Sequence, residues 1–175
     1  MSVVIGVPGA DEYAPYYGKY VDKVSGDSLA LLESQARSTA ALLAATSEAV
    51  GEHRYAPGKW TVKEVVGHLS DAERVFAYRA LRIGRGDTTD LPGFSEDAYA
   101  VGGRFGRRTL ADVAAEFASV RAASLALFRS FDAEAVLRRG TANGHPISVR
   151  ALAMILVGHE QHHVGMLREA YGLKG

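Results

Sequence analysis

The chain has 175 residues, 47% of them hydrophobic and 23% charged, which is the composition of a globular protein with a core of its own. Lys and Arg together number 20, as do Asp and Glu, so the formal net charge is zero and no overall field attracts nucleic acid or anionic lipid. The lack of cysteine excludes disulfides, thiolate metal ligands and a cysteine nucleophile.

The start of the chain and its apolar runs bear on where the protein resides. The first nine residues contain no basic side chain and only about five apolar ones, too few for the core of a signal peptide. The longest apolar run, residues 151–157, is far shorter than the ~20 residues that cross a bilayer. We therefore expect one cytoplasmic domain over residues 1–175 that binds neither membrane nor nucleic acid.

The first half of the chain predicts an arm and two helices. Residues 1–26, with a Tyr-rich stretch interrupted by Pro15 and Gly18, are expected to form an N-terminal arm packed on the domain. Residues 28–50 have a roughly helical apolar spacing and predict the first long helix. The second predicted helix starts at Thr61, which has the capping-box spacing with Glu64, and continues to Gly84.

The second half predicts a long loop and two more helices. Residues 87–108 contain Pro92 and several glycines without sustained periodicity, so we expect a loop that covers the functional site. Thr109 caps a third helix that ends near Phe131, and Ser148 caps a fourth that ends near Tyr171. Four long helices and no convincing strand alternation predict an all-α four-helix bundle.

Three histidines have the spacing of a metal site. His159 and His163 are one helical turn apart, so both rings can reach one ion, and His68 lies in the middle of the second helix on its apolar side. Three neutral imidazoles leave Zn²⁺ its full charge and one open coordination position, which lowers the pKa of bound water to ~7. The alternative is that each histidine is an ordinary hydrogen-bonded core or surface residue.

Two segments of the chain carry a family resemblance. The run YAPGKWTVKEVVGHLSDAER at residues 55–74 and the run HEQHHVGML at residues 159–167 resemble the DinB-like (YfiT-like) superfamily. The resemblance implies a bundle with up-down-down-up helix directions. It also implies that His68, His159 and His163 ligate one divalent metal, with Zn²⁺ the first expectation and Ni²⁺, Fe²⁺ or Mn²⁺ left open.

The same resemblance indicates what the protein does. Members of the family act on low-molecular-weight thiols as S-transferases or isomerases, others are assigned as metal hydrolases, and a homodimer is common. We therefore expect a metal-dependent enzyme with a small-molecule substrate, and the alternative is a non-catalytic, stress-associated metal-binding protein. Glu160 and Asp71, next to the histidines in the chain, are the candidate catalytic residues.

Two other metal motifs overlap with this pattern. The run from His159 to His163 matches HExxH of zinc peptidases, but residues 164–175 offer no further histidine and only Glu169 as an acid. Glu160 and His163 also match the Glu-x-x-His motif of di-iron bundles, which would require Glu33 and Glu116 to point inward. A peptidase and a di-iron protein therefore remain weaker alternatives.

Overall fold

The computed structural model describes residues 3–174 and contains, within them, eight α-helices and one two-stranded sheet. The long helices are α2 (Ser28–Ala44), α4 (Val62–Gly84), α6 (Leu110–Arg129) and α8 (Val149–Glu169). The short helices are α1 (Gly18–Val21), α3 (Glu48–Gly51), α5 (Glu96–Gly103) and α7 (Ala133–Leu137), and the strands are β1 (Arg139–Ala142) and β2 (His145–Ser148). None of the helices in this described range is long and apolar enough to span a membrane.

The predicted helix starts are confirmed by their capping geometry. The Thr61 hydroxyl accepts a hydrogen bond from the Glu64 N–H, and the Glu64 carboxylate accepts one from the Thr61 N–H at 2.7 Å, so the capping box is complete. Thr109 and Ser148 cap α6 and α8 in the same way, each through its side-chain oxygen. These caps satisfy N–H groups that have no partner within the helix.

Helices α4 and α6 run in the same direction. Glu48 in α3 forms an ion pair with Lys63 at the start of α4, and its carboxylate also accepts a hydrogen bond of 2.8 Å from the Leu110 N–H at the start of α6. Both helices therefore begin at one end of the bundle. Because α3 follows directly after α2, the end of α2 lies at this same end, and α2 is antiparallel to both.

Helix α8 runs with α2. The Ser28 hydroxyl at the start of α2 lies 3.7 Å from the Met154 sulfur in the first half of α8. At the opposite end, the Tyr171 hydroxyl just after α8 donates a hydrogen bond of 2.6 Å to the carbonyl of Trp60, just before α4. The helix directions are therefore up, down, down and up, as predicted.

The core is divided into two apolar clusters by polar side chains. Helices α2 and α4 each pack against both α6 and α8. One buried cluster contains the later parts of α4 and α6 with the first part of α8, and the other contains the opposite ends of these helices. The buried polar residues Thr39, Glu73, Arg121 and Glu160 lie at the junction, as do the three histidines. The site therefore lies at mid-height in the bundle.

Residues 3–26, which precede the first long helix, contact the bundle at several points. Ile5 is fully buried, and its N–H donates a hydrogen bond of 2.9 Å to Asp27, which also caps α2. Glu12 is buried and pairs with Arg150 in the first turn of α8. That residues 1–175 constitute a single domain stays a prediction.

Three details of the sequence prediction were wrong. The first helix ends at Ala44 rather than near Val50, because Ser47 caps the separate helix α3. The segment 87–108 is not one continuous loop, since Ser95 caps α5 within it. A hairpin precedes α8, with Asn143 and Gly144 in its turn at φ values of 53° and 74°. An Asn-Gly turn favours this geometry, but strands of four residues are too short to produce a clear alternation.

Candidate metal site

The three histidines predicted from the sequence meet between α4 and α8. The Nε2 atoms of His68 and His159 are 3.0 Å apart, and the nitrogens that can ligate a metal all lie within 4.8 Å of one another in the three residues. Nitrogen ligands of tetrahedral Zn²⁺ are about 3.3 Å apart, given Zn–N distances of 2.0–2.1 Å. We refer to His68, His159 and His163 as the three-histidine group. Its dimensions fit one ion, and metal ligation itself stays a prediction.

Burial keeps the three rings neutral. The exposed fractions are 3% for His68, 3% for His159 and 8% for His163. Burial lowers the pKa of His68 to about 4, and burial together with the charges of His68 and His162 lowers the pKa of His163 to about 3. The pKa of His159 also lies well below its ordinary value, mainly through burial. At neutral pH each ring therefore offers a lone pair without having to lose a proton.

One orphaned atom supports the fit of a cation. The Nδ1 atom of His163 is buried and has no hydrogen-bond partner within residues 3–174. A buried polar atom without a partner costs about 1–3 kcal/mol, so such atoms are uncommon unless a water or an ion completes them. The chemistry of this donor set, three neutral imidazoles, is that of a zinc site with an open position.

Aromatic rings surround the three-histidine group. The Trp60 ring lies 4.9 Å from the ring of His68, so this residue forms part of the wall as well as preceding α4. Tyr20 of the N-terminal arm meets His159 edge-on at 5.3 Å, and Phe76 of α4 lies 6.2 Å from the same ring. These rings limit the access of water to the histidines.

The two candidate catalytic carboxylates have different surroundings. Asp71, one turn after His68, is half-buried, and burial raises its pKa while Arg74, 3.4 Å away, opposes the shift. Glu160 is 1% exposed and accepts a hydrogen bond of 2.6 Å from the Thr39 hydroxyl. Neither belongs to the cluster of potential metal ligands in the described residues. Their catalytic roles stay predictions.

Glu160 belongs to a buried polar layer that the sequence did not predict. Arg121 of α6 donates two hydrogen bonds of 2.8 Å to the carboxylate of Glu73 in α4, and its Nη2 atom lies 2.7 Å from Oε2 of Glu160 in α8. Thr39 of α2 contacts Glu160, so the layer (Thr39, Glu73, Arg121 and Glu160) joins all four long helices. The sequence feature that could have indicated this layer was Arg121, an arginine within the apolar stripe of the third predicted helix.

The carboxylates that a di-iron site would require point elsewhere. Glu33 forms an ion pair with Arg129 at 2.7 Å and its side chain is 36% exposed. Glu116 pairs with Arg74 and Arg108 at the surface of α4 and α6. Glu33 and Glu116 therefore do not supply the inward carboxylates of a di-iron bundle, and the buried carboxylates of Glu73 and Glu160 are paired with Arg121.

The remaining histidines lie outside the group. His162 and His53 are exposed. His145 is also exposed and lies in strand β2. None of the three joins the metal-ligand cluster among residues 3–174.

The segment between α4 and α6 packs against α4 next to His68. Phe105 is buried against Gly67, where a Cβ atom would lie 2.4 Å from the Phe105 ring. Since Gly67 directly precedes His68, this glycine permits the close packing that fixes this part of α4. Asp97 in α5 is near enough for its charge to raise the pKa of His68 slightly, against the larger effect of burial. Coverage of the metal by this segment stays a prediction.

The helix order and the three-histidine group together define a four-helix bundle with a candidate metal site. A family model described as the DinB superfamily matches residues 31–167. The chain therefore belongs to the DinB superfamily, as the two quoted sequence runs indicated.

Two solved structures share the fold. YfiT from Bacillus subtilis, described as a probable metal-dependent hydrolase with an unusual four-helix bundle topology, aligns at a TM-score of 0.73 and 19% identity over 97% of this chain and 99% of YfiT. A mycothiol-dependent maleylpyruvate isomerase aligns at a TM-score of 0.65 and 15% identity over 78% of this chain and 58% of the isomerase. At these identities the likeness is one of fold. The comparison with curated proteins gives no match.

Proposed function

We propose that the protein is a metal-dependent enzyme that acts on a small molecule, either as a thiol-dependent S-transferase or as a hydrolase. The observation that carries the proposal is the number and kind of potential ligands: three neutral imidazoles and, within residues 3–174, no fourth His, Asp or Glu in the cluster. Structural zinc sites are closed by four protein ligands, whereas catalytic sites keep one position open.

The residues of the chain have distinct parts in this proposal. His68, His159 and His163 hold the ion, for which Zn²⁺ is the first candidate and Ni²⁺, Fe²⁺ or Mn²⁺ are the others. When bound, a divalent ion supplies Lewis acidity that lowers the pKa of a thiol or a water molecule. The rings of Trp60 and Tyr20 exclude water from the histidines, which strengthens electrostatic interactions within the site.

We assign different roles to the carboxylates of Asp71 and Glu160. Asp71 lies on the same helix as His68, one turn away, and its raised pKa suits a group that accepts a proton from a substrate. Glu160 contacts Thr39 and Arg121, so we assign it the positioning of α8, on which His159 and His163 lie, rather than contact with a substrate.

The comparisons support the two reaction classes in different ways. YfiT is described as a probable metal-dependent hydrolase, and the isomerase that shares the fold is described as mycothiol-dependent. A low-molecular-weight thiol is therefore the first co-substrate to test, followed by small esters and amides. A homodimer in the cytoplasm is the state that we expect for the working enzyme.

One observation favours a second function. The three rings are only 3–8% exposed, which suits an ion that stabilises the bundle without turnover. In that case the protein is a non-catalytic metal-binding member of its family, and chelation lowers its melting temperature without removing an activity.

Elemental analysis combined with an activity screen tests the proposal. The wild type and a His53→Ala control, which alters an exposed histidine, are expected to contain one metal equivalent per chain, and His159→Ala none, with helical circular dichroism retained in all three. Thiol consumption with a panel of electrophiles and hydrolysis of small esters are then measured for each protein. Metal with no turnover favours the second function, and full metal content in His159→Ala contradicts the site.

A further inference from the structure

A second buried arginine, Arg79 of α4, has no anionic partner. Its residue is 2% exposed, yet no carboxylate within residues 3–174 lies within 4.0 Å of its guanidinium. Its Nη2 atom donates a hydrogen bond of 2.7 Å to the Pro92 carbonyl, and its buried Nε atom has no acceptor. Arg121, the other arginine buried to this degree, is held by two carboxylates. A buried cation without a counter-charge is costly, so an anion that reaches this guanidinium would be strongly favoured.

Arg79 lines a cavity of about 270 Å³, here called the Arg79 cavity. Four parts of the chain form its walls: α4, the N-terminal arm, the segment between α4 and α5 continuing into α5, and the hairpin. Residues other than Arg79 in these walls include Tyr16, Tyr17, Phe94, Glu96, Asn143 and His145. The rings of Phe76 and Phe94 lie 5.8 and 6.0 Å from the guanidinium carbon. The cavity thus combines one cation with aromatic surface.

The Arg79 cavity is separate from the three-histidine group. None of the three histidines lines it. Arg79 follows His68 by three helical turns, about 16 Å along the axis at 1.5 Å per residue. Phe76 lies between them, since its ring is 6.2 Å from that of His159 and 5.8 Å from the Arg79 guanidinium. A ligand at Arg79 therefore does not need the metal.

The other charges in the walls limit which anion fits. Glu96 is the acidic residue that lines the cavity. Burial raises its pKa, and the charge of Lys19 opposes this shift. Burial also raises the pKa of the Tyr17 phenol, against the effect of the Arg79 guanidinium. With one cation and one acid in the walls, a monoanion is favoured over a phosphate dianion. A planar carboxylate also matches the planar fork of an arginine.

We propose that the Arg79 cavity binds a small organic carboxylate, paired with Arg79 through its carboxylate and packed by its apolar body against Tyr17 and Phe94. The Asn143 amide, which also lines the cavity, is a neutral donor available to the carboxylate. A volume of about 270 Å³ admits a molecule of the size of benzoate and excludes nucleotides. The proposal does not depend on the function assigned to the three-histidine group.

Calorimetric titration of the full-length protein tests this site. Benzoate, acetate and inorganic phosphate are titrated at constant ionic strength into the metal-loaded wild type and into the same protein after chelation. Benzoate is expected to bind at one saturable site with the same affinity in both forms. Arg79→Gln should weaken its binding at least tenfold, about the contribution of one charged hydrogen bond. Arg82→Gln, which removes a charge from a partly exposed position on the same helix that does not line the cavity, should leave it unchanged.

Two further variants keep the proposal testable if Arg79→Gln does not fold. Asn143→Asp retains a residue that tolerates the left-handed φ of 53° and places a negative charge in the cavity, so benzoate should bind more weakly. Glu96→Gln removes a negative charge and should tighten binding. The proposal is overturned if benzoate does not bind, if its affinity is the same in Asn143→Asp, if chelation abolishes binding, or if phosphate binds in its place.

Discussion

The three-histidine group and the Arg79 cavity lie on the same helix, α4, but are held by different kinds of structure. The histidines are carried by two long helices, and their backbone geometry follows from regular helical spacing. The walls of the Arg79 cavity come from α4 and three segments outside the four long helices: the N-terminal arm, the segment leading into α5, and the hairpin. The positions of the three histidines depend on helix packing, and the walls of the Arg79 cavity depend on how irregular segments dock.

This difference separates the two sites energetically. The polar layer of Arg121, Glu73 and Glu160 joins the helices at the height of the histidines, so distortion of the histidine site requires disruption of the bundle. The segment into α5 contacts the hairpin through the Leu91 N–H and the Thr141 carbonyl at 3.0 Å, and through the Asn143 N–H and the Leu91 carbonyl at 2.8 Å. Segments of this kind open locally at lower free energy than a core.

The largest expected effect is on the free energy of unfolding of the bundle. Arg121→Met leaves Glu73 and Glu160 buried without their cation, which should lower the free energy of unfolding by about 3–5 kcal/mol. Urea denaturation followed by circular dichroism measures this change. Arg74→Met, which breaks exposed ion pairs on α4, is the matched control and should cost less than about 1 kcal/mol. Equal losses in the two variants would contradict the structural role of the polar layer.

An intermediate effect is expected where the loop meets the hairpin. A Cβ atom on Gly93 would lie 2.3 Å from Oδ1 of Asn143, the end of an exposed side chain that can move, so Gly93→Ala should cost less than about 1 kcal/mol of stability but displace the Asn143 amide and weaken benzoate binding. Metal content should be unchanged, because the three-histidine group does not contact this segment. Gly102→Ala in α5 is the control: its Cβ meets no atom within 4 Å, and helix propensity predicts a gain of up to about 1 kcal/mol. A loss of metal in Gly93→Ala would show that the two sites are coupled.

The smallest effect concerns the docking of the N-terminal arm as a function of pH. Burial raises the pKa of Glu12, but hydrogen bonds from Arg150, Ser148 and the Gly9 N–H outweigh it and hold the pKa at about 2, below the ordinary value of 4.5. The folded state therefore binds fewer protons than the unfolded state between these values. The stability from Glu12 is present above pH 4.5 and is lost as the pH falls towards 2.

Hydrogen exchange measured by mass spectrometry checks this expectation. After correction for intrinsic rates, protection of the arm should fall between pH 5 and pH 2.5 while α8 stays protected. Glu12→Gln should have low protection already at pH 5, whereas Glu134→Gln, at an exposed glutamate, should behave as the wild type. An arm whose protection in the wild type does not depend on pH would rule out the Glu12 pair as its anchor.

The sequence predicted what depends on local spacing. Thr61 and Ser148 cap helices through contacts with residues three positions away, and His159 and His163 share a helix face, so both features can be found without knowing the fold. The position of His68 on the apolar side of its helix made its convergence with this pair possible, but because 91 residues separate His68 from His159 only the family resemblance implied it as a ligand. Features that depend on regular helical spacing can therefore be recognised in the sequence.

What the sequence did not predict depends on contacts between distant segments. Arg79 and Arg121 both lie within the apolar stripe of a helix. Nothing in the sequence shows that Arg121 has two buried carboxylate partners and that Arg79 has none. The hairpin has an Asn-Gly turn, but its strands are too short to stand out by alternation. The partners of these residues are set only when the chain has packed.

Gly158 determines how close the arm comes to the histidines. A Cβ atom at this position would lie 2.4 Å from the carbonyl oxygen of Tyr20, so the backbone of the arm rests directly on α8 one residue before His159. The family match begins at residue 31 and does not include this contact. A shortened chain that starts at residue 31 would keep all three histidines but expose one side of His159 to water, so an ion held there would be more hydrated.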